Sequence, residues 1–149
     1  MTETSAIFHR IMVPADGSQP SMAAGRLAIQ LATIHRARIT FVYVVDTSVV
    51  EQLTDTSGKV ARQVRQELEL TGQRYLNYLS RLATNAGLVV DHVIRYGAPY
   101  SEIESLARER DVDLIVIGQV GHRGLRRILI GSVTERVIEY APCPVLVVK

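Results

Sequence analysis

Five short apolar runs alternate with stretches of helical periodicity, and that alternation constrains this chain more than any other feature. The runs are Ile7 to Val13, Arg38 to Val45, Leu88 to Ile94, Val112 to Ile117 and Pro144 to Val148. Helical spacing of apolar residues marks Pro20 to Arg36, Val60 to Gly87, Pro99 to Arg110 and Ser132 to Tyr140. The order is therefore β-α-β-α-β-α-β-α-β. Parallel neighbours need crossover connections, and helical crossovers cover the sheet on both faces. Arg38 to Val45 and Val112 to Ile117 are almost continuously apolar, as strands buried on both sides are. The expectation is an α/β fold with a parallel sheet.

Punctuation supports these boundaries. Pro14 stops the first run, and Asp16-Gly17-Ser18 reads as a turn and helix N-cap. In the first helix Met22, Ala23, Leu27, Leu31 and Ile34 recur at helical spacing. The long second helix should bury Val60, Val64, Leu68, Tyr75, Leu79, Leu82 and Ala86, with Gly72 a weak spot of about 1 kcal/mol and Gly87 at its C-terminal cap. Pro99 suits a first helical position, with Ile103, Leu106 and Ala107 inward. Thr47 to Lys59 is polar and irregular, and is expected to be a mobile connection.

Composition narrows the function. At 149 residues, against roughly 150 per domain, the chain reads as one domain over residues 1–149. A net charge of +2, no Trp and 5% aromatics supply neither a basic field nor a stacking surface, so nucleic acid is not an expected partner. Cys143 is the only cysteine, which excludes an internal disulfide and a multi-thiolate zinc site and suits a reducing compartment. Met1 to Arg10 does not read as a signal peptide, and Ile39 to Val45 falls far short of the roughly 20 residues that span a bilayer. A cytoplasmic protein without membrane attachment is expected.

Ligands of open parallel sheets bind beyond the carboxyl ends of the strands, where connections diverge to opposite faces. That nominates Pro14 to Ser18, Val44 to Asp46, Arg95 to Gly97 and Gly118 to Ser132. In the last of these, Gly118 ends a strand and Gly131-Ser132 opens a helix, with Gly121 and Gly124 between. Glycines let the backbone approach an anion, and the helix end adds amide hydrogens and a positive dipole, so phosphate is the natural guest. Arg123, Arg126 and Arg127 lie in the same segment. Neither G-x-x-x-x-G-K-[ST] nor G-x-G-x-x-G after the first strand occurs.

Several residues carry two readings. Ser132-Val133-Thr134-Glu135 is a capping box as well as a phosphate site, and one hydroxyl can serve both. Asp16 is either a turn residue or a ligand. His9, His35, His92 and His122 are scattered without metal-ligand spacing, and Cys143 has no partner that would make it a nucleophile. Arg62, Arg65, Arg74 and Arg81, with Glu67 and Glu69, read as the solvated face of the long helix.

Gly118-x2-Gly121-x9-Gly131-Ser132, preceded by Asp113 to Ile117 and followed by Ala141-Pro142-Cys143-Pro144-Val145-Leu146-Val147-Val148, resembles the ATP-binding branch of the universal stress protein family. Ile11 to Ser18, Tyr43 to Asp46 and Gly97-Ala98-Pro99 are similar too, so the resemblance spans essentially the whole chain. It implies a Rossmann-like five-stranded parallel sheet of order 3-2-1-4-5 with helices on both faces, and a homodimer joined through the C-terminal strand. It also implies an adenine nucleotide, ATP or else ADP or AMP, across the first and fourth strand ends. Pro14, Ala15 and Asp16 would flank the adenosine, Asp16 near the ribose or a Mg ion, and Val44 would contact adenine. Gly118, Gly121, Gly131, Ser132 and Val133 would hold ribose and phosphates.

The leading reading is thus a dimeric, nucleotide-dependent switch in the stress response, acting on a regulatory protein partner that the sequence does not identify. A slow ATPase or phosphotransferase is the alternative, and would need a group to orient water or acceptor; only His122 and Asp16 are candidates. A dimeric interaction module without nucleotide is the third. A receiver domain would cluster carboxylates after the first strand, where Asp16 stands alone, and a nucleotidyl transferase would carry H-x-G-H, which is absent.

Overall fold

The computed structural model describes residues 6–120 and 130–149. Five strands, β1 (Arg10–Pro14), β2 (Arg38–Asp46), β3 (Val90–Gly97), β4 (Leu114–Gly118) and β5 (Val145–Val148), alternate with α1 (Gln19–His35), α2 (Thr47–Ser57), α3 (Ala61–Asn85), α4 (Pro99–Glu109) and α5 (Ser132–Tyr140). All strand pairs are parallel and the sheet order is β3-β2-β1-β4-β5. This is the expected order, with the central strands the most apolar. All five residues of β4 are buried, as its unbroken apolar run requires.

The sheet has an apolar layer on each side. Ile11, Val13, Phe41, Tyr43, Val45, Leu114 and Val116 pack under α1 and α3. Met12, Val42, Ile115 and Ile117 pack under Ile103, Leu106 and Ala107 of α4 and Val137 of α5. On that side Arg136 of α5 lies 4.9 Å over the Tyr100 ring of α4, joining the two helices.

Several expectations are corrected. Thr47 to Lys59 is largely the helix α2: Asp46 accepts from the Ser48 amide at 2.9 Å and its hydroxyl at 2.6 Å, Val50 is buried, and Gly58 closes the helix at φ 73°. A polar stretch forms a helix here because a cap, one buried anchor and a left-handed stop suffice over eleven residues.

The inward face of α1 is not the one carrying its large residues. Ser21, Ala24, Gly25, Ala28, Ile29 and Ala32 are buried, whereas Ile34 is 72% exposed and Met22 and Leu31 sit at the margin of the core. Close contact is the reason: a Cβ on Gly25 would stand 2.7 Å from Leu79 of α3. On α3, Leu76 and Ala83 are buried while Val60 and Ala86 lie exposed at its ends, and Glu69 is half-buried.

Gly72 is a packing notch, not merely a weak spot. It is buried, and a methyl there would overlap the ring of Tyr43. Gly87, at φ 81° just past α3, matches the expected cap.

The first strand begins at Arg10 instead of Ile7. Asp113, just before β4, accepts the His9 amide at 2.7 Å and the Arg10 amide at 3.1 Å, so the amides at this point are bonded to a side chain, and the only strand contact ahead of Arg10 among the described residues is the His9 carbonyl accepting the Arg38 amide at 2.9 Å. Conversely β3 runs on to Gly97, because β2 supplies partners as far as Asp46.

Candidate functional site

Connections from adjacent strands β1 and β4 leave for opposite faces, β1 to α1 and β4 to α5. A crevice opens at such a divergence. Its walls are the turn after β1 and the start of α5.

Asp16 shapes the first wall. Its Oδ1 accepts the Ser18 amide at 2.9 Å and the Ser18 hydroxyl at 2.5 Å, closing an Asx turn. Ser18 Oγ in turn accepts the Ser21 amide at 3.3 Å and caps α1, and the Asp16 amide donates to Ser21 Oγ at 3.3 Å. Ser18 and Ser21 are buried and satisfied within this cluster. Asp16 therefore is a turn residue, and its other oxygen, Oδ2, has no hydrogen bond among the described residues. Ala15 is buried and bonds the Val42 carbonyl at 2.8 Å, fixing the turn to β2, while Pro14 is half-buried.

Val44 lies two residues beyond Val42, the register partner of Pro14, on the same face as Val42. Its half-buried side chain thus stands at the level of Asp16. Met12 pairs with Ile115, and the same offset puts Gly118 level with Ala15.

The second wall is strapped to the first strand end by contacts that the sequence did not show. A Cβ on Gly118 would meet the Pro20 carbonyl carbon and the Ser21 nitrogen, both at 2.8 Å, so glycine lets the start of α1 close on the end of β4. Thr134, buried in α5, donates its hydroxyl to the Gly118 carbonyl at 2.7 Å. Gln119 bonds Val148 at 2.7 Å and Gly131 bonds the Gln119 carbonyl at 2.8 Å, which seats α5 beyond β4.

Ser132 does not cap α5. Gly131 is the N-cap, and Ser132 is the first helical residue, exposed and without a capping hydrogen bond. The capping box fails because the helix starts one residue early, which turns Thr134 inward to Gly118. Gly131 is buried and Val133 half-buried against the α4–α5 layer. Gly121, His122, Arg123, Gly124, Arg126 and Arg127 lie outside the described residues.

The donor set suits an anion at the α5 end, where helix amides face outward. Among the described residues no three His, Cys, Asp or Glu side chains gather to hold a metal. A single carboxylate matches a Mg ion that keeps waters and takes its remaining ligands from bound phosphates, and Asp16 Oδ2 would be its protein ligand.

Burial, with the charge of Asp113 beyond it, pushes the Cys143 thiol up, as a structural cysteine requires. A cavity of about 350 Å³ lies at the opposite, amino edge of the sheet between Arg10, Arg38, Asp91 and Arg110. Its charges are largely spent on each other, Arg110 on Asp91 and Arg10 on Asp111, and it lies far from the strand divergence.

Fold and crevice together define a doubly wound parallel α/β domain with its candidate ligand site at the topological switch. Residues 7–149 match the Universal stress protein family, and the chain belongs to that family. It is 38% identical over 144 residues to universal stress protein MJ0531 of Methanocaldococcus jannaschii, covering 96% of this chain and 83% of that protein. The structure of UspA from Lactobacillus plantarum superposes with a TM-score of 0.84 at 27% identity, covering 95% of this chain and 98% of that one. The universal stress protein from Archaeoglobus fulgidus, solved in complex with dAMP, shares the fold with a TM-score of 0.70 at 22% identity, over 96% and 99% of the two chains.

Proposed function

We propose that this protein binds an adenine nucleotide, ATP or its ADP and AMP forms, across the carboxyl ends of β1 and β4, and acts as a dimeric nucleotide-dependent switch in the stress response. The observation that carries the reading is the seating of α5: Thr134 and Gly131 strap its amino end to the end of β4, and the first-turn amides of a helix so placed are donors for an anion. The glycines of Gly118-x2-Gly121-x9-Gly131 and the dAMP complex of a protein of the same fold support it. In this reading Pro14, Ala15 and Val44 bound the adenosine, and Asp16 contacts ribose or a Mg ion. Gly118, Gly121, Gly131, Ser132 and Val133 hold ribose and phosphates.

Self-association through β5 fits the same reading. That strand is a sheet edge, and Ile138, Tyr140 and Leu146 are exposed around it. A regulatory protein partner would then read nucleotide occupancy. The lone Cys143, and the absence among the described residues of a helix long and apolar enough to cross a membrane, accord with a cytoplasmic setting.

Equilibrium binding of labelled ATP to protein stripped of carried-over nucleotide tests the proposal. Saturable binding that Gly131→Val abolishes is expected, and no binding at millimolar ATP would sink it. Mass spectrometry of the molecules released on denaturation identifies the nucleotide. Phosphoryl transfer is the less favoured reading, since Asp16 already spends one oxygen on the Ser18 turn. Hydrolysis that survives purification and disappears in Asp16→Ala would favour it.

A further inference from the structure

We infer that Tyr75, on α3, is a positioning residue: its ring clamps the β1–α1 turn and so sets where Asp16 presents its carboxylate. Only the ligand half of this inference rests on the nucleotide reading above.

Two tyrosines and two glycines interlock here. A methyl on Gly17 would overlap the Cζ, Cε1 and Cε2 atoms of Tyr75, so the phenol end of that ring lies directly on the Gly17 Cα. Gly17 has φ 81°, a conformation that disfavours any side chain. A methyl on Gly72, one helical turn before Tyr75, would overlap the ring of Tyr43. Tyr43 projects from β2, and the two rings meet with centroids 6.3 Å apart at 55°. Thus β2 inserts a ring into a notch on α3, and α3 inserts the next ring into a notch on the turn.

The clamp ends beside the carboxylate. Burial, then the neighbouring Tyr75, then the charge of Asp16 push the Tyr43 phenol up, which sets that hydroxyl within electrostatic reach of Asp16. Neither phenol makes a hydrogen bond among the described residues, so the contact works through ring volume. Tyr43 and Tyr75 stand on the α1–α3 side of the sheet and Val44 on the other. Tyr75 therefore backs the turn from behind and acts on a ligand through Asp16.

Amide hydrogen exchange in the ligand-free protein tests the clamp. The Ser18 amide, bonded to Asp16, and the Asp16 amide, bonded to Ser21, should exchange about tenfold faster in Tyr75→Ala and at the original rate in Tyr75→Phe. The Ile115 amide, bonded to the Pro144 carbonyl, should not change. Equal rates at Ser18, or acceleration spread evenly to Ile115, would overturn the inference. Tyr75→Leu, which keeps apolar bulk without the ring's reach, serves where Tyr75→Ala does not fold.

Calorimetry with adenosine and with tripolyphosphate then reads the consequence. With divalent metal chelated, Tyr75→Ala should weaken adenosine about tenfold, leave tripolyphosphate unchanged, and cost nothing further in an Asp16→Ala background. An additive loss in that background, or an equal loss for tripolyphosphate, would overturn the positioning role. Failure of the wild-type protein to bind either adenosine or ATP removes the nucleotide reading instead, and the exchange rates still decide whether Tyr75 holds the turn.

Discussion

Tyr43 and Gly72 illustrate how a residue's worth depends on its neighbour. By propensity alone, Gly72→Ala should stabilise α3 by about 1 kcal/mol. Because the new methyl would overlap the Tyr43 ring, which is held in the core, the substitution should instead cost about 1–3 kcal/mol, read as a lower urea midpoint. The Tyr43 phenol is raised by burial first, so its neutral form is the one the fold favours. That contribution is present below the ordinary tyrosine pKa, about 10, and is lost as pH rises through the raised value. Burial and then the Glu69 carboxylate push Tyr96 up as well, so a spectrophotometric titration should show two late tyrosines, of which Tyr43→Phe removes one. Cys143, raised chiefly by burial, should react with a disulfide reagent at pH 8 more slowly than a free thiol.

Among the elements, α5 borders the crevice and is held to β4 in part by a buried hydroxyl. Thr134→Val keeps shape but leaves the Gly118 carbonyl without its 2.7 Å donor, and should cost about 1–3 kcal/mol in urea unfolding. If α5 is the anion-binding wall, the same variant should also weaken tripolyphosphate binding. α1 shows what a helix gives up to come close. Its core face is Ser21, Ala24, Gly25, Ala28, Ile29 and Ala32, all small but Ile29, and Gly118 opposite its first turn has no room for a Cβ. Periodicity finds the helix, but when small residues face the core and large ones its margin, the apolar pattern names the wrong side. α2 was illegible for another reason, since its stability comes from Asp46, Val50 and Gly58 and not from an apolar stripe.

Across the whole molecule, ion pairs tie α4 to β3 and give a pH dependence. Arg110 holds the Asp91 carboxyl below the ordinary range, and Arg95 does the same for Glu109. Both folded values are depressed, so their stabilisation is present above the ordinary carboxylate pKa, about 4, and is lost as pH falls through the lowered values. Thermal midpoints should drop on acidification below about pH 4, and less steeply in Arg95→Met.

The chain's own order of residues determined the α/β class, the parallel sheet and the four strand ends where a ligand could sit, because alternation, turns and caps are local and survive without knowing what packs where. It placed Asp16, Gly118 and Gly131 at those ends for the same reason. Only the tertiary structure decided that Gly118 yields to the start of α1, that Thr134 and not Ser132 fixes α5, and that Tyr75 reaches Gly17. Those are distances of a few ångströms between residues far apart in the chain, and they are settled by packing, where a single Cβ is enough to forbid the approach.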